Sequence, residues 1–264
     1  MTPILMLGAG RMGGALIQGW FAAGAFGPRD LIVCEPHPTD QVTQAAADGA
    51  ALNPPDDQLA RARTVLLAVK PQVWREAAAQ YSPLLAADAV IVSMAAGVSA
   101  GDLSPAFGGR RVARVMPTTA VAIGQGTASI HADDAEALER ARRLFAPVAT
   151  VVALESEDQL HAATGVSGSA PAYLYAFVEA LGAAGVAAGL SAEVAHRLAR
   201  ATVTGSAALL AGSSEEPAEL RRQVTSPAGT TAAALDVLMG EAGFGPLLEQ
   251  AVAAAVKRSK ELGA

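Results

Sequence analysis

The chain has 264 residues, enough for one or two domains with their own hydrophobic cores, and its 52% hydrophobic and 17% charged residues exclude intrinsic disorder. A net charge of -6 argues against non-specific binding to nucleic acid or anionic lipid, which requires clustered Lys and Arg. The single cysteine, Cys34, can form no internal disulfide, and the scattered histidines at 37, 131, 161 and 196 show no spacing that would complete a metal site with it. We therefore expect a cytoplasmic, metal-free protein, and its sparse charge favours a homo-oligomer that buries apolar surface between subunits.

Short apolar runs alternate with helical segments in the first half of the chain, the pattern of a parallel sheet with helices on both faces. Several runs are apolar on both sides, which favours central, buried strands. Seven strands are predicted, over 3–7, 31–35, 64–69, 89–93, 111–116, 126–131 and 150–154. This part is therefore predicted to be an α/β, Rossmann-type domain.

A glycine-rich segment follows the first predicted strand and precedes a predicted helix over 15–23. In such a segment the first glycine permits a tight turn, the second lets the backbone approach a pyrophosphate, and the third lets the helix pack on the strand. The helix N-terminus adds free N–H donors. The motif predicts a dinucleotide site, with a ligand-free glycine turn as the alternative; its residues are Gly8, Ala9, Gly10, Arg11, Met12 and Gly13.

Further candidates lie where predicted strands end. Glu35 could accept hydrogen bonds from an adenosine ribose 2'-hydroxyl, or it could be a solvated strand-end charge. The segments 69–71 and 93–97 follow two other strands, at the sheet edge where ligands bind, although each is also consistent with an ordinary loop. Thr118 and Thr119 follow a further strand with two hydroxyls that could face a nicotinamide ring.

Strand signals stop after Leu154, and the remainder is predicted to be helical, with breaks near 189–191, 212–214, 226–227 and 240. We therefore predict a first domain over 1–154 and an all-helical second domain over 155–264. Residues 162–191 carry one charged side chain, Glu179, which raises a membrane-span alternative. Pro171, the many small residues and the absence of a basic flank argue against it, so we expect residues 171–188 to be buried within the domain or in a subunit contact.

Two serine-containing segments stand at predicted helix starts. The first, around Ser167 and Ser169, lacks the final glycine of an esterase elbow, so Ser169 is predicted to be a helix cap with Pro171 in the first turn. The second, over 224–231, offers hydroxyls and free N–H groups that could hold a small carboxylate, with ordinary capping as the alternative. The four histidines show no spacing typical of metal ligation, and we expect them to be structural.

Together these segments resemble pyrroline-5-carboxylate reductase over essentially the whole chain. Residues 166–173 resemble the family's V-S-G-S-G-P-A-Y, and Leu220 with residues 224–231 resembles its L-x-x-x-V-x-S-P-G-G-T-T. The segments 68–71, 95–98 and 114–117 match the family in order and spacing.

The resemblance implies hydride transfer from NADH or NADPH to 1-pyrroline-5-carboxylate, giving L-proline. It also implies an all-helical dimerisation domain interlocked with its partner, dimers that can assemble further, for example into a decamer, and a site that needs the dimer. The implied cofactor-binding residues are Gly8, Ala9, Gly10, Arg11, Met12, Gly13, Glu35, Ala68, Val69, Lys70, Pro71, Ala95, Ala96 and Gly97. The implied substrate-binding residues are Ser226, Ala228, Gly229, Thr230 and Thr231, and the Thr231 hydroxyl is the catalytic candidate because it could hydrogen-bond the ring nitrogen.

The chain departs from the family pattern at four positions. Thr118 and Ala120 replace an Asn and a Pro, and Thr118 removes an amide near the expected cofactor. Ala170 and Ala228 replace glycines, a change that is harmless if the backbone is not at positive φ. Two alternatives therefore stay open, a related Rossmann imine or hydroxyacid reductase and a non-catalytic dinucleotide-binding regulator; residues 171–188 lack the Lys base of many hydroxyacid dehydrogenases.

Overall fold

The computed structural model describes residues 1–262 and divides into two compact units. The first comprises Met1–Gly168 and residues 255–262, and the second comprises Ser169–Ala254. This division differs from the expected boundary at 154/155. The reason is that the residues just after 154 are bonded within the first unit, where Glu157 forms an ion pair with Arg114 at 2.9 Å.

The first unit is built on an eight-stranded sheet of order β3-β2-β1-β4-β5-β6-β7-β8. The strands are β1 (Ile4–Leu7), β2 (Leu31–Cys34), β3 (Ala51–Leu52), β4 (Thr64–Leu67), β5 (Val90–Ser93), β6 (Val112–Pro117), β7 (Gly126–His131) and β8 (Ala149–Ala153). All seven predicted strands are present. The eighth, β3, was missed because two residues are too short to carry a periodic signal.

One pairing departs from the predicted parallel sheet, because β7 runs antiparallel to β6. Only residues 118–125 connect these two strands, whereas a parallel crossover needs about a dozen or more residues. This connection forms a 3-10 turn over Thr119–Ile123, against which the helix after β1 packs. A Cβ at Gly19 of that helix would overlap the Val121 carbonyl oxygen, so glycine permits the close approach.

Helices of the first unit bury an apolar core on each face of the sheet. Trp20 is fully buried in one of these cores, and its indole N–H donates to the Leu144 carbonyl at 2.7 Å. The helices are α1 (Arg11–Ala22), α2 (Asp40–Ala47), α3 (Trp74–Tyr81), α4 (Ala100–Ala106), α5 (Ala135–Phe145) and α6 (Gln159–Ala163). The fold class is therefore as predicted for this part of the chain.

The second unit is helical within the described residues, and its helices leave much apolar surface exposed. Its helices are α7 (Ala170–Ala187), α8 (Ala192–Gly212), α9 (Pro217–Gln223), α10 (Thr230–Leu238) and the first part of α11 (Phe244–Glu261). Within the described chain, Gly182 is the one buried residue of α7, where it packs against the imidazole of His196. The prediction that this helix is buried within its own domain is therefore wrong. Its burial in a subunit contact remains a prediction.

Candidate active site

The glycine-rich loop joins the ends of neighbouring strands. Gly8 has φ +85°, its N–H donates to the Cys34 carbonyl at 2.9 Å, and a Cβ at this position would lie 2.9 Å from the Val69 backbone nitrogen. Glycine is required here for both its conformation and its lack of a side chain. A Cβ at Gly13 would lie 3.1 Å from the Gly8 carbonyl oxygen, so this glycine lets α1 pack close to the loop. Both glycines have the roles predicted from the motif.

The middle glycine faces open space. A Cβ at Gly10 would meet no heavy atom of the described chain within 4 Å. Gly10 is also the N-cap of α1, and the first turn of that helix contains no acidic residue. The free N–H groups at Arg11 and Met12 and the positive end of the helix dipole suit an anion. The residues present thus fit the pyrophosphate of a dinucleotide.

Glu35 is bonded to this loop instead of extending into solvent. One carboxylate oxygen, Oε2, accepts from the Ala9 N–H at 2.7 Å, and Oε1 accepts from the His37 N–H at 2.9 Å. Each oxygen keeps a further lone pair for a ligand hydroxyl. The structure therefore brings Glu35 to the glycine loop, where both of its carboxylate oxygens accept from backbone N–H groups.

Asn53, which was not predicted from the sequence, contacts the backbone of Glu35 through its side-chain amide. Its Oδ1 accepts from the Glu35 N–H and its Nδ2 donates to the Glu35 carbonyl, both at 2.9 Å. Asn53 has φ 45°, a left-handed value at which Asn is enriched among non-glycine residues. The Asn-Pro-Pro sequence was the available signal for such a turn.

The other cofactor candidates lie at the same edge of the sheet. The Ala68 N–H donates to the Leu7 carbonyl and the Met94 N–H donates to the Leu67 carbonyl, so the loops after β1, β4 and β5 follow one another across the sheet. Lys70 and Pro71 open the 3-10 turn after β4. In the loop after β5, Gly97 is at φ +79°. Residues 68–71 and 95–97 therefore lie beside the glycine loop, as the strand order requires.

Thr118 forms hydrogen bonds to β7 through both its side chain and its backbone. Its hydroxyl oxygen accepts from the Thr127 N–H at 3.0 Å, its own N–H donates to the Thr127 carbonyl, and the residue is 8% exposed. Of the two hydroxyls considered for the nicotinamide side, Thr119 is the exposed one. Residue 118 thus acts chiefly in joining β6 to β7.

A buried charge near the loop after β5 was also missed. Arg114 is 5% exposed and pairs with Glu157, whose Oε1 also accepts from the Ala100 N–H at 2.7 Å, at the start of α4. His161 lies nearby, where burial first and then Arg114 lower its pKa, and its Nδ1 is 2.9 Å from the Ser259 hydroxyl. An Arg within an apolar strand was the available signal, because a buried charge requires a partner.

Neither serine segment caps its helix through a side chain, although Ser169 and Pro171 stand at the predicted positions of α7. Ser169 stands at the N-cap of α7 in a helical conformation, and its side chain makes no capping bond because the chain enters from a π-helical turn over Thr164–Gly168. Helix α10 begins at Thr230 with Gly229 as N-cap, three residues later than a Ser226 cap requires. Ser226 accepts the Gly229 N–H through its carbonyl, and a Cβ at Gly229 would overlap the Ser226 hydroxyl.

The start of α10 keeps the features of an anion site. Gly229 has no side chain to cap the helix, Thr230 is exposed, and Thr231 is half-buried. The N–H groups of the first turn therefore lie at a helix N-terminus that no side chain of the described residues caps.

Ala228, immediately before this N-cap, has φ 57°, so its replacement of glycine is not conformationally free. Ala170 differs, because it lies in α7 in a helical conformation. The left-handed conformation costs an L-residue about 1–2 kcal/mol, offset by about 0.4–1 kcal/mol for the greater unfolded-state freedom of glycine. Ala228→Gly is therefore expected to raise the free energy of unfolding by about 0.5–1 kcal/mol in urea denaturation at fixed protein concentration.

Ala170→Gly is the matched control, since it restores the other family glycine at a helical position. It is expected to leave stability unchanged or to lower it by up to about 1 kcal/mol. A loss of stability in Ala228→Gly as large as in Ala170→Gly would contradict the left-handed conformation at residue 228.

Comparison with known proteins relates both halves of the chain to one enzyme family. Residues 157–262 match the family model described as pyrroline-5-carboxylate reductase dimerisation, and residues 3–97 match the model described as NADP oxidoreductase coenzyme F420-dependent. The pyrroline-5-carboxylate reductase of Pseudomonas aeruginosa is 38% identical over 268 residues, covering 99% of this chain and 97% of its own.

Solved structures of the same family are similar to this chain over its whole length. A pyrroline-5-carboxylate reductase from Coxiella burnetii has a TM-score of 0.90 at 30% identity, covering 100% of this chain and 99% of its own. The pyrroline carboxylate reductase of Plasmodium falciparum, solved with NADP bound, has a TM-score of 0.83 at 26% identity, covering 100% and 98%.

The exposed apolar helices lie in the region that matches the dimerisation model. By length and composition, the stretch Gln159–Ala187 could also cross a membrane, and 6% of its most apolar window is buried inside the chain. Because the same residues fall within 157–262, a second copy of the chain accounts for their apolar character.

Proposed function

This chain belongs to the pyrroline-5-carboxylate reductase family, and from that premise we propose which of its residues hold the two reactants. The protein is an NAD(P)H-dependent oxidoreductase that reduces the C=N bond of 1-pyrroline-5-carboxylate to L-proline in proline biosynthesis. A protonated cyclic imine is already a good hydride acceptor, so the protein has mainly to position its reactants. Formation of proline with oxidation of NADH or NADPH is the direct assay.

We propose that the edge of the sheet formed by the loops after β1, β2, β4 and β5 binds the cofactor. The observation that carries this proposal is the difference between two glycines of the loop. The backbone of Gly8 packs directly against Val69, whereas the space beside Gly10, at the start of α1, is unfilled by the described residues. When bound, the reduced nicotinamide supplies the hydride. The loops at 68–71 and 95–97 would border the dinucleotide because they adjoin the glycine loop at the same sheet edge.

Glu35 gives this site a preference for NADH. Its carboxylate is held by the Ala9 and His37 N–H groups, and residues 36–38 contain no Arg or Lys to hold a 2'-phosphate. The kcat/KM is expected to be about tenfold higher with NADH than with NADPH, which corresponds to about 1.4 kcal/mol. Glu35→Gln, which removes the charge and one of the two acceptor oxygens but keeps the size of the side chain, is expected to reduce this ratio to near one in steady-state assays with both cofactors. An NADPH preference above tenfold in the wild-type enzyme would refute the assignment.

The start of α10 is proposed to bind the substrate. The substrate carboxylate suits the free N–H groups of the first turn, with residues 226 and 228–231 around it. The Thr231 hydroxyl is proposed to donate a hydrogen bond to the ring nitrogen as it becomes an amine. Thr231 is the one residue for which we propose a catalytic contact.

The enzyme is a homo-oligomer acting on a small molecule. We propose the dimer as its unit, formed by the all-helical region from residue 155 onward, with a decamer as a further assembly. The exposed apolar side chains of α7 and α8 support a subunit contact there. A cytoplasmic location is likewise proposed, with no membrane or nucleic-acid partner; the single cysteine, Cys34, which is free, suits a reducing compartment.

A further inference from the structure

The hydrogen-bond ladder between β2 and β3 continues beyond the last residue of β3, first through the backbone of Asn53 and then through its side chain. The Asn53 N–H donates to the Val33 carbonyl at 2.8 Å, as the next step of a parallel ladder requires. The following step would use the carbonyl of residue 53 as acceptor and the N–H of residue 55 as donor. Residue 55 is proline and has no N–H, so the backbone cannot complete this step.

The side-chain amide of Asn53 completes it. Oδ1 accepts from the Glu35 N–H in place of the carbonyl of residue 53, and Nδ2 donates to the Glu35 carbonyl in place of the N–H that Pro55 lacks. The φ of 45° turns the main chain away at this residue. The amide thereby pairs Glu35 as though β2 were one residue longer.

We propose that Asn53 is a positioning residue that sets the preference for NADH over NADPH. This inference rests on the proposed role of Glu35. Asn53 fixes the backbone from which the Glu35 carboxylate reaches the Ala9 N–H, and it thereby holds the carboxylate at the glycine loop. Asn53 itself is exposed and follows a two-residue strand. Loss of its amide is therefore expected to change the orientation of the Glu35 side chain more than the free energy of unfolding.

Asn53→Gly tests this proposal, because glycine adopts φ 45° freely and lacks only the amide. The ratio of kcat/KM for NADH to that for NADPH is expected to fall about five- to tenfold, through a higher KM for NADH at unchanged kcat. The urea midpoint is expected to stay near that of the wild type, and circular dichroism at the assay temperature shows whether the assayed variant is folded. Gln44→Ala is the matched control, since this exposed amide on α2 bonds to Asp48 and should leave the ratio unchanged.

A wild-type ratio in folded Asn53→Gly would overturn the inference. Glu35→Gln separates this failure from failure of the proposed site: if that variant also keeps the wild-type ratio, the role of Glu35 is wrong. The double variant is expected to match Glu35→Gln alone, because Asn53 acts through Glu35. A further fall in the ratio in the double variant would show that Asn53 acts by another route and would overturn the inference.

Discussion

Gly10→Ala is expected to weaken binding of NADH and NADPH by about 10- to 100-fold, or about 1.4–2.8 kcal/mol, with little loss of stability. A Cβ at Gly10 would contact no atom of the described chain within 4 Å, so the folded protein accommodates it. The new methyl group would instead occupy the open space at the start of α1, where the cofactor pyrophosphate is proposed to approach the backbone. Fluorescence titration of the nicotinamide measures the affinity, and urea denaturation should change by less than about 1 kcal/mol, the scale of an N-cap Gly-to-Ala change.

Gly8→Ala is the matched comparison within the same loop. Its φ of +85° and a Cβ placed 2.9 Å from the Val69 nitrogen make alanine costly in the folded state. This variant is expected to lose about 2–5 kcal/mol of stability together with cofactor binding. Wild-type affinity in Gly10→Ala would contradict the proposed approach of the pyrophosphate, because Gly10 would then serve only the turn.

Thr231→Ala is expected to lower kcat/KM for pyrroline-5-carboxylate about 5- to 150-fold. The reason is the loss of one hydrogen bond that strengthens along the reaction, which typically costs about 1–3 kcal/mol. Thr231→Ser keeps the hydroxyl and is expected to recover most of the activity. Cofactor affinity and subunit assembly should remain near wild type, since the glycine loop belongs to the other compact unit.

Thr43→Ala, at an exposed position of α2, controls for the removal of a threonine hydroxyl elsewhere. It should leave kcat/KM unchanged. Wild-type turnover in Thr231→Ala would mean that the hydroxyl makes no productive bond to the ring nitrogen and that the backbone N–H groups and cofactor placement are sufficient.

The sequence by itself determined the features that depend on near neighbours in the chain. The apolar runs predicted seven strands, and Gly8, Gly10 and Gly13 predicted the loop between β1 and α1 because such a turn needs those residues within six positions. The helical character of the second unit followed in the same way from its spacing of breaks. Family motifs then added a prediction, the substrate region around Thr231.

The tertiary structure decided which distant residues meet. Asn53 bonds to Glu35 from 18 residues away and Glu157 pairs with Arg114 from 43 residues away, and neither distance leaves a periodic signal. The boundary between the units moved from 154 to 168 for the same reason, since contacts across the fold hold residues after 154 in the first unit. The positive φ of Ala228 could not be predicted from the sequence either, because alanine is not a residue type that favours the left-handed conformation. A sequence encodes local preference residue by residue, whereas pairings across the fold and the conformation of an atypical turn residue depend on where the completed chain places its neighbours.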